Sequence, residues 1–212
     1  MKTSRTRKQL GFTLIELMIV LIIMAVFLTL VAPGMSNFFD TQNLKAASEG
    51  VYSDIQMARS ESIARKVPIQ LKFDANATTT WTYAVSDVDD CDLTVTSVAD
   101  ATACTLVIDD GDLNVHGVGG VTDTDDKILQ VRSSADHSNI TLARDSFQNG
   151  TEITFEPING SAIGNSGNLL LTSPMGKRVL IKVSPMGQVR LCSPDNSVVG
   201  YIDGDSSDAD DC

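Results

Sequence analysis

The 212-residue chain holds one Trp and two His. That count excludes a His-rich metal site and leaves little aromatic material for stacking a large ligand. None of the four Cys forms a Cys-x-x-Cys unit, so zinc-ribbon and dithiol redox chemistry lack their spacing. No Gly-x-Ser-x-Gly elbow is present, and neither His116 nor His137 has a nucleophile partner in the pattern. Gly117, Gly119 and Gly120 have no strand-to-helix frame, so they do not read as a phosphate loop. Basic residues are scarce too: 16 Lys and Arg stand against 27 Asp and Glu, a net charge of −11. General binding to a phosphate backbone needs the opposite balance, because its affinity comes mostly from Lys and Arg. The inventory predicts no enzyme, no cofactor and no metal.

Hydrophobic residues make up 42% and charged residues 20%, a composition that folds. The charge is unevenly placed. Lys2, Arg5, Arg7 and Lys8 fall in the first eleven residues without an acid among them; from Phe12 on, 12 basic face 27 acidic residues, a net of −15. Phe12 to Ala32 is a run of 21 residues with one charge, Glu16. As a helix it spans about 30 Å, the hydrocarbon thickness of a bilayer. The basic stretch before it belongs on the cytoplasmic side, which sends the rest outward. Val31-Ala32-Pro33-Gly34 is a poor secretory cleavage site, since Pro33 follows the small residue directly. A carboxylate in a membrane helix costs about 2.5–3.5 kcal/mol at the centre and less near an end, so Glu16 marks a function.

Pro33-Gly34 interrupts the helix, either as its end or as a kink. Beyond it, Leu44, Ala47, Val51, Ile55, Ala58 and Ser62 recur at helical spacing, with Lys45, Glu49, Arg59, Glu61 and Arg65 opposite. Glu61 and Arg65 form an i,i+4 pair of favourable polarity. The helix should end near Lys66, because Pro68 restricts Val67. From Pro68 on, strands are expected at Ile69–Phe73, Thr79–Val85, Thr105–Ile108, Lys127–Val131, Ile140–Leu142, Glu152–Glu156, Leu169–Thr172, Arg178–Val183 and Gln188–Leu191. Ser173-Pro174-Met175-Gly176 recurs as Ser184-Pro185-Met186-Gly187, which reads as two similar turns in a meander.

Gly11-Phe12-Thr13-Leu14-Ile15-Glu16-Leu17-Met18-Ile19-Val20 resembles the type IV prepilin signature. Gln56 to Arg65 resembles the Ala-Arg-Ser-Glu helix of FimT/FimU-type minor pilins and GspH pseudopilins. Phe155-Glu156-Pro157-Ile158-Asn159-Gly160 resembles their mid-domain turn, and Val183 to Leu191 their terminal strand pair around a Gly turn. The segment from Asp87 to Gly120 resembles no part of that family. The resemblance implies an α+β fold, with a long N-terminal helix packed on a β-rich antiparallel head. It divides the chain into a leader at 1–11, a membrane-spanning helix half at 12–34, an amphipathic half at 35–67 and a head with an acidic tail at 68–212.

By the same resemblance, a prepilin peptidase cuts after Gly11 and Phe12 becomes a methylated N-terminus. Glu16 serves assembly, Pro33 and Gly34 form a kink, and the precursor sits in a bacterial inner membrane with its head in the periplasm. The implied partners are other minor and major pilins. The implied function is that of a minor pilin that helps initiate or cap a pilus, with a GspH-like pseudopilin of type II secretion and a DNA-binding pilin for natural transformation as the alternatives.

The Cys lie in the part expected to be exported, where disulfides persist. Three pairings exist; Cys91–Cys104, closing a hairpin, and Cys192–Cys212, tying the tail to the last strand pair, are favoured. Asp109, Asp110 and Asp112, then Asp123, Asp125 and Asp126, then Asp203, Asp205, Asp208, Asp210 and Asp211 form acidic clusters without the calcium-loop spacing, and read as solvated surface. Some FimT-like pilins bind DNA through a Gly-Arg-x-Arg stretch. Here Gly187-Gln188-Val189-Arg190 keeps one Arg of the two. Lys177, Arg178, Lys182 and Arg190 are the candidate DNA contacts, and the acidic balance of the chain weighs against them.

Overall fold

A computed structural model describes residues 12–107, 126–145, 147–148 and 150–203. Helix α1 runs from Leu14 to Arg65. Thr13 caps its start: the Glu16 backbone N–H donates to Thr13 Oγ1 at 3.3 Å, half of a capping box. Its end follows the expected logic. Lys66 takes the left-handed conformation at φ 60°, and Pro68 follows where helix cannot continue. Helical backbone continues through Pro33 and Gly34, so the reading of a helix end there is corrected. Among the described residues no single helix is long and apolar enough to cross a membrane; Leu14–Thr29 and Gly34–Arg65 meet that test only together, as a bent pair.

The chain falls into two compact units that divide between Phe39 and Asp40. In the first, the described apolar side chains from Phe12 to Leu28 are all exposed, around the whole circumference of the helix. Among its described residues the second contains the rest of α1 and twelve strands: β1 Ile69–Asp74, β2 Asn76–Thr78, β3 Thr82–Ser86, β4 Thr105–Val107, β5 Lys127–Leu129, β6 Val131–Ser133, β7 Thr141–Asp145, β8 Glu152–Phe155, β9 Gly167–Thr172, β10 Arg178–Val183, β11 Val189–Ser193 and β12 Ile202–Asp203. They form a four-stranded sheet in the order β6-β3-β1-β8, a six-stranded sheet β12-β11-β10-β9-β7-β2 and a β4-β5 ribbon. Pairing is antiparallel throughout these sheets except between β11 and β12.

The stripe Leu44, Ala47, Val51, Ile55, Ala58 and Ser62 is buried, none of it more than 1% exposed. One core takes the apolar part of that stripe together with Ile69, Leu71 and Phe73 of β1, Ile153 and Phe155 of β8, Leu169 and Leu171 of β9, and Val179, Ile181 and Val183 of β10. Alternate residues of these strands point inward, as a sheet with one covered face requires.

The expected strand Lys127–Val131 is two strands. β5 pairs with β4 and β6 with β3, and the break falls at Gln130, whose carbonyl accepts from Val85 N–H at 3.0 Å. The strand expected from Thr79 begins at Thr82, because Thr78 Oγ1 donates to Thr80 O across a turn. β2 and β12, of three and two residues, are too short to carry an alternation signal.

The two Ser-Pro-Met-Gly turns are near copies. Gly176 N–H donates to Ser173 O at 2.9 Å and Gly187 N–H to Ser184 O at 2.8 Å. Each Ser hydroxyl accepts from the residue after the Gly, at 3.2 Å and 3.1 Å. Both Gly sit at positive φ, 80° and 75°, where a side chain would strain the backbone.

Candidate assembly surfaces

The family-like motifs of the head converge. Arg59 in α1, Gly160 in the loop after β8 and Gly187 in the turn before β11 meet at one point. Arg59 Nε donates to Gly160 O at 3.0 Å, and Ala162 N–H donates to Pro185 O at 2.9 Å. A Cβ on Gly187 would fall 1.8 Å from Gly160 O, and one on Gly160 would fall 2.9 Å from Arg59 Cγ and Ile63 Cδ1. Both positions therefore require Gly for close approach as well as for their positive φ. Around this junction Ile63, Ile158, Ile163 and Met186 are exposed.

At the N-terminus, Phe12 is 85% exposed. Glu16 lies on the exposed first turn, and its carboxylate has no hydrogen bond or ion pair among the described residues. Gly11 lies outside the described residues. Gly34 is exposed, with open space where a side chain would begin.

Cys91 and Cys104 are joined by a disulfide with their Cα atoms 4.9 Å apart, in the favoured pairing. With Ala84 they form a small core of their own, and Ser86 Oγ ties it to the main sheet by donating to Thr105 O at 2.9 Å. Cys192 is also disulfide-bonded; Cys212, its expected partner, lies outside the described residues. Asp109, Asp110, Asp112, Asp123, Asp125, Asp205, Asp208, Asp210 and Asp211 lie outside them as well. Asp126 is buried, which corrects its reading as solvated surface: it sits directly before β5, where the chain enters the β4-β5 ribbon.

The candidate DNA contacts lie on β10, on β11 and in the turn segment before β10. Lys182 and Arg190 stand opposite each other in the β10–β11 register. Arg178 lies four residues back along β10, about 13 Å away at strand rise, and its Nε donates to Asp195 Oδ2 at 3.1 Å. Lys177 Nζ reaches α1 and donates to Thr41 Oγ1 at 2.5 Å. Burial pushes the Asp195 carboxyl up, but hydrogen bonds from Ser197 and Arg178 outweigh it and hold it below the usual carboxylate range.

A polar group beside α1 had no sequence signal. Tyr83 on β3 donates to Asp54 Oδ2 at 2.8 Å, and Arg132 on β6 lies 3.4 Å from the same oxygen. Burial, and then the Asp54 charge, push the Tyr83 hydroxyl far above its ordinary value. The rings of Trp81 and Tyr83 stack with centroids 6.0 Å apart, and His137 stacks on Trp81 at 6.4 Å. Asp54 is 29 residues from Tyr83 in sequence, so only the packing of α1 on the sheet brings them together.

The N-terminal unit is an exposed apolar helix, and the head has a main core and a small second one. Residues 6–32 match the prokaryotic N-terminal methylation motif, and residues 47–187 match the family described as type II transport protein GspH. The chain belongs to the GspH family, within the pilin-like proteins of the GspH/FimT/FimU kind. That family and the methylation motif imply a membrane-anchored pilin or pseudopilin that associates with other pilins. Among solved structures, the type IV minor pilin FimU of Pseudomonas aeruginosa strain PAO1 is similar at 14% identity and a TM-score of 0.39, over 69% of this chain and 90% of that one. This likeness is weak, and the family assignment rests on the two sequence matches. No curated protein sequence matches the chain.

Proposed function

We propose that the chain is a minor type IV pilin of the FimT/FimU kind, which helps to initiate or cap a pilus. One observation carries this reading: a GspH-family head follows a methylation segment that has Gly11, Phe12 and Glu16 in the prepilin order. In this reading a prepilin peptidase cuts after Gly11. The new α-amine on Phe12 has a reference pKa near 8 and is mostly cationic at neutral pH. The Glu16 carboxylate of one subunit pairs with the amine of its neighbour, so each charge enters the apolar filament core neutralised. Pro33 and Gly34 supply a kink between the membrane half and the head half of α1. The precursor crosses the bacterial inner membrane once, with the head in the periplasm.

The description of the matching family as a type II transport protein favours a second reading, a minor pseudopilin of a type II secretion system. Deleting the gene in its own bacterium separates the two. Loss of surface pili with protein export intact supports the pilin. Loss of export with pili intact supports the pseudopilin. Mass spectrometry of the membrane-bound protein tests what both share: a mature N-terminus anywhere but Phe12 refutes the prepilin reading.

A further inference from the structure

Asn-x-Ser/Thr sequences begin at Asn76, Asn139, Asn149 and Asn159, the pattern that accepts an N-linked glycan on exported chains. Such an acceptor needs a side-chain amide, and a hydroxyl two residues on, that an enzyme can both reach. The structure separates the candidates. Thr141 follows the buried Ile140, and its hydroxyl donates to Thr172 O at 3.3 Å within the six-stranded sheet. Asn159 Oδ1 accepts from Ser161 N–H at 3.0 Å, Ser161 is buried, and Gly160 between them is packed on Arg59. Asn149 lies outside the described residues. Asn76, Ala77 and Thr78 make up β2, and all three are exposed.

β2 is also the outermost strand of its sheet. It meets β7 through Asn76↔Ala143 and Thr78↔Leu142, with a register shift between them and Ala77 at φ 57°. So short and irregular an edge opens at little cost, while Phe73 and Ala75 before it stay in the core. The Thr78 hydroxyl is held by an exposed bond to Thr80 O, which opens with it.

The Asn76 amide is oriented by its neighbours. Arg144 can only donate, so it takes the amide oxygen: its Nη2 donates to Asn76 Oδ1 at 2.7 Å. The nitrogen therefore faces Asp74, and Nδ2 donates to Asp74 Oδ1 at 3.3 Å. Asp74 is exposed and moves with Asn76 when the edge opens, so the carboxylate stays beside the nitrogen that must lose a proton. The other three Asn have no acid at that position; His137, Phe147 and Pro157 stand there.

We infer that Asn76 is the acceptor of an N-linked glycan, taken from a glycosyl diphosphate carried on a membrane lipid. Asn76 Nδ2 bonds to the anomeric carbon of the sugar. The bond from that carbon to the diphosphate oxygen breaks, the lipid diphosphate leaves with the electron pair, and the Nδ2 proton passes to the Asp74 carboxylate. A nucleotide-linked sugar shares this chemistry. The choice of the lipid rests on the reading above that the head lies in the periplasm, across the membrane from cytoplasmic nucleotide sugars. β2 stands four strands from β11 in the sheet order, about 19 Å at the usual strand spacing, so a glycan on it leaves the Gly187 turn uncovered.

The full-length protein is purified from the membranes of its own bacterium, and its peptides are mapped by mass spectrometry with glycans attached. The Asn76 peptide should carry an oligosaccharide. Asn76→Gln and Thr78→Ala should lose it, Thr78→Ser should keep it, and Asp74→Ala should lower the occupied fraction. All four variants should stay folded, because Asp74, Asn76 and Thr78 are exposed. An unmodified Asn76, or a glycan that survives Asn76→Gln, overturns the acceptor. Equal occupancy in Asp74→Ala overturns the part given to Asp74, and a single hexose in place of an oligosaccharide overturns the lipid as donor. An unmodified Asn76 with a mature N-terminus at Phe12 removes the acceptor and leaves the pilin reading standing; a glycan on Asn76 with another N-terminus does the opposite.

Discussion

Arg59 Nε donates to the carbonyl oxygen of Gly160 at 3.0 Å, across 101 residues of sequence. This bond joins the helix to the loop after β8, and Gly187 packs against the same carbonyl. Three stretches that resemble the family separately are thus one structural feature. The helix presents a guanidinium, the loop turns a carbonyl toward it, and the last turn must lack a side chain to close over both.

Gly187→Ala should destabilise the head by about 2–4 kcal/mol, from a backbone clash added to strain at positive φ. Gly176→Ala, with a similar φ but open space around it, should cost about 1 kcal/mol. Urea denaturation of the two variants checks the contrast. Equal losses would show that conformation alone, and not the approach to Gly160, constrains position 187.

Glu16→Ala should leave helix start and membrane insertion intact. The cap at Thr13 uses the backbone N–H of residue 16, and the change removes an intramembrane charge. Association with partner pilins should weaken or fail. Membrane fractionation followed by co-purification tests this; normal piliation in the variant would contradict the role assigned to Glu16.

Two carboxylates should shape the pH dependence in opposite senses. Burial, then the Asp89 charge, raise the Glu152 carboxyl above its usual range. Its penalty on folding is full above that raised value and disappears as the pH falls below the unfolded value, near 4.3. Glu152→Gln should therefore raise the melting temperature at pH 7 and change it little at pH 3. Asp195, held low by Ser197 and Arg178 against its burial, stabilises the fold above about pH 4 and loses that contribution as the pH falls through its lowered value. Asp195→Ala should lower the melting temperature at pH 7, with the gap closing in acid.

A soluble head starting near Asn37 should bind double-stranded DNA weakly or not at all at physiological salt. Lys182 and Arg190 stand opposite each other in the β10–β11 register, and the few cations of this region lie within an acidic field. Gln188→Arg should strengthen any binding, and Arg190→Ala should weaken it. A mobility-shift titration decides: tight, salt-sensitive binding by the parent that is lost in Arg190→Ala would make DNA uptake the leading function.

Peptide mapping without reductant should recover Cys91–Cys104 and Cys192–Cys212. Cys91→Ser with Cys104→Ser should cost about 3 kcal/mol, the loop-closure value for a separation near the 13 residues here. The loss should fall on the segment around its own small core, read by faster hydrogen exchange there than in β9 and β10.

Local chemistry made much of this protein legible in its sequence. The apolar run with one carboxylate, the spacing from Leu44 to Ser62, the stop before Pro68 and the two Ser-Pro-Met-Gly turns each depend on residues a few positions apart, and such signals survive without knowledge of the fold. The strands around Gln130 were legible only as one run, because the break is made by β3 and β4 claiming its two halves. Asp54, Tyr83, Arg132 and His137 carried no pattern, since each is an ordinary residue until α1 lies on the four-stranded sheet. The same holds for Arg59, Gly160 and Gly187: sequence marked them one by one, and tertiary packing decided that they touch. The physical reason is range. Propensity, capping and turn geometry act within about one helical turn or one hairpin, whereas a cavity or a junction exists only where distant segments are pressed together by burial of a common core.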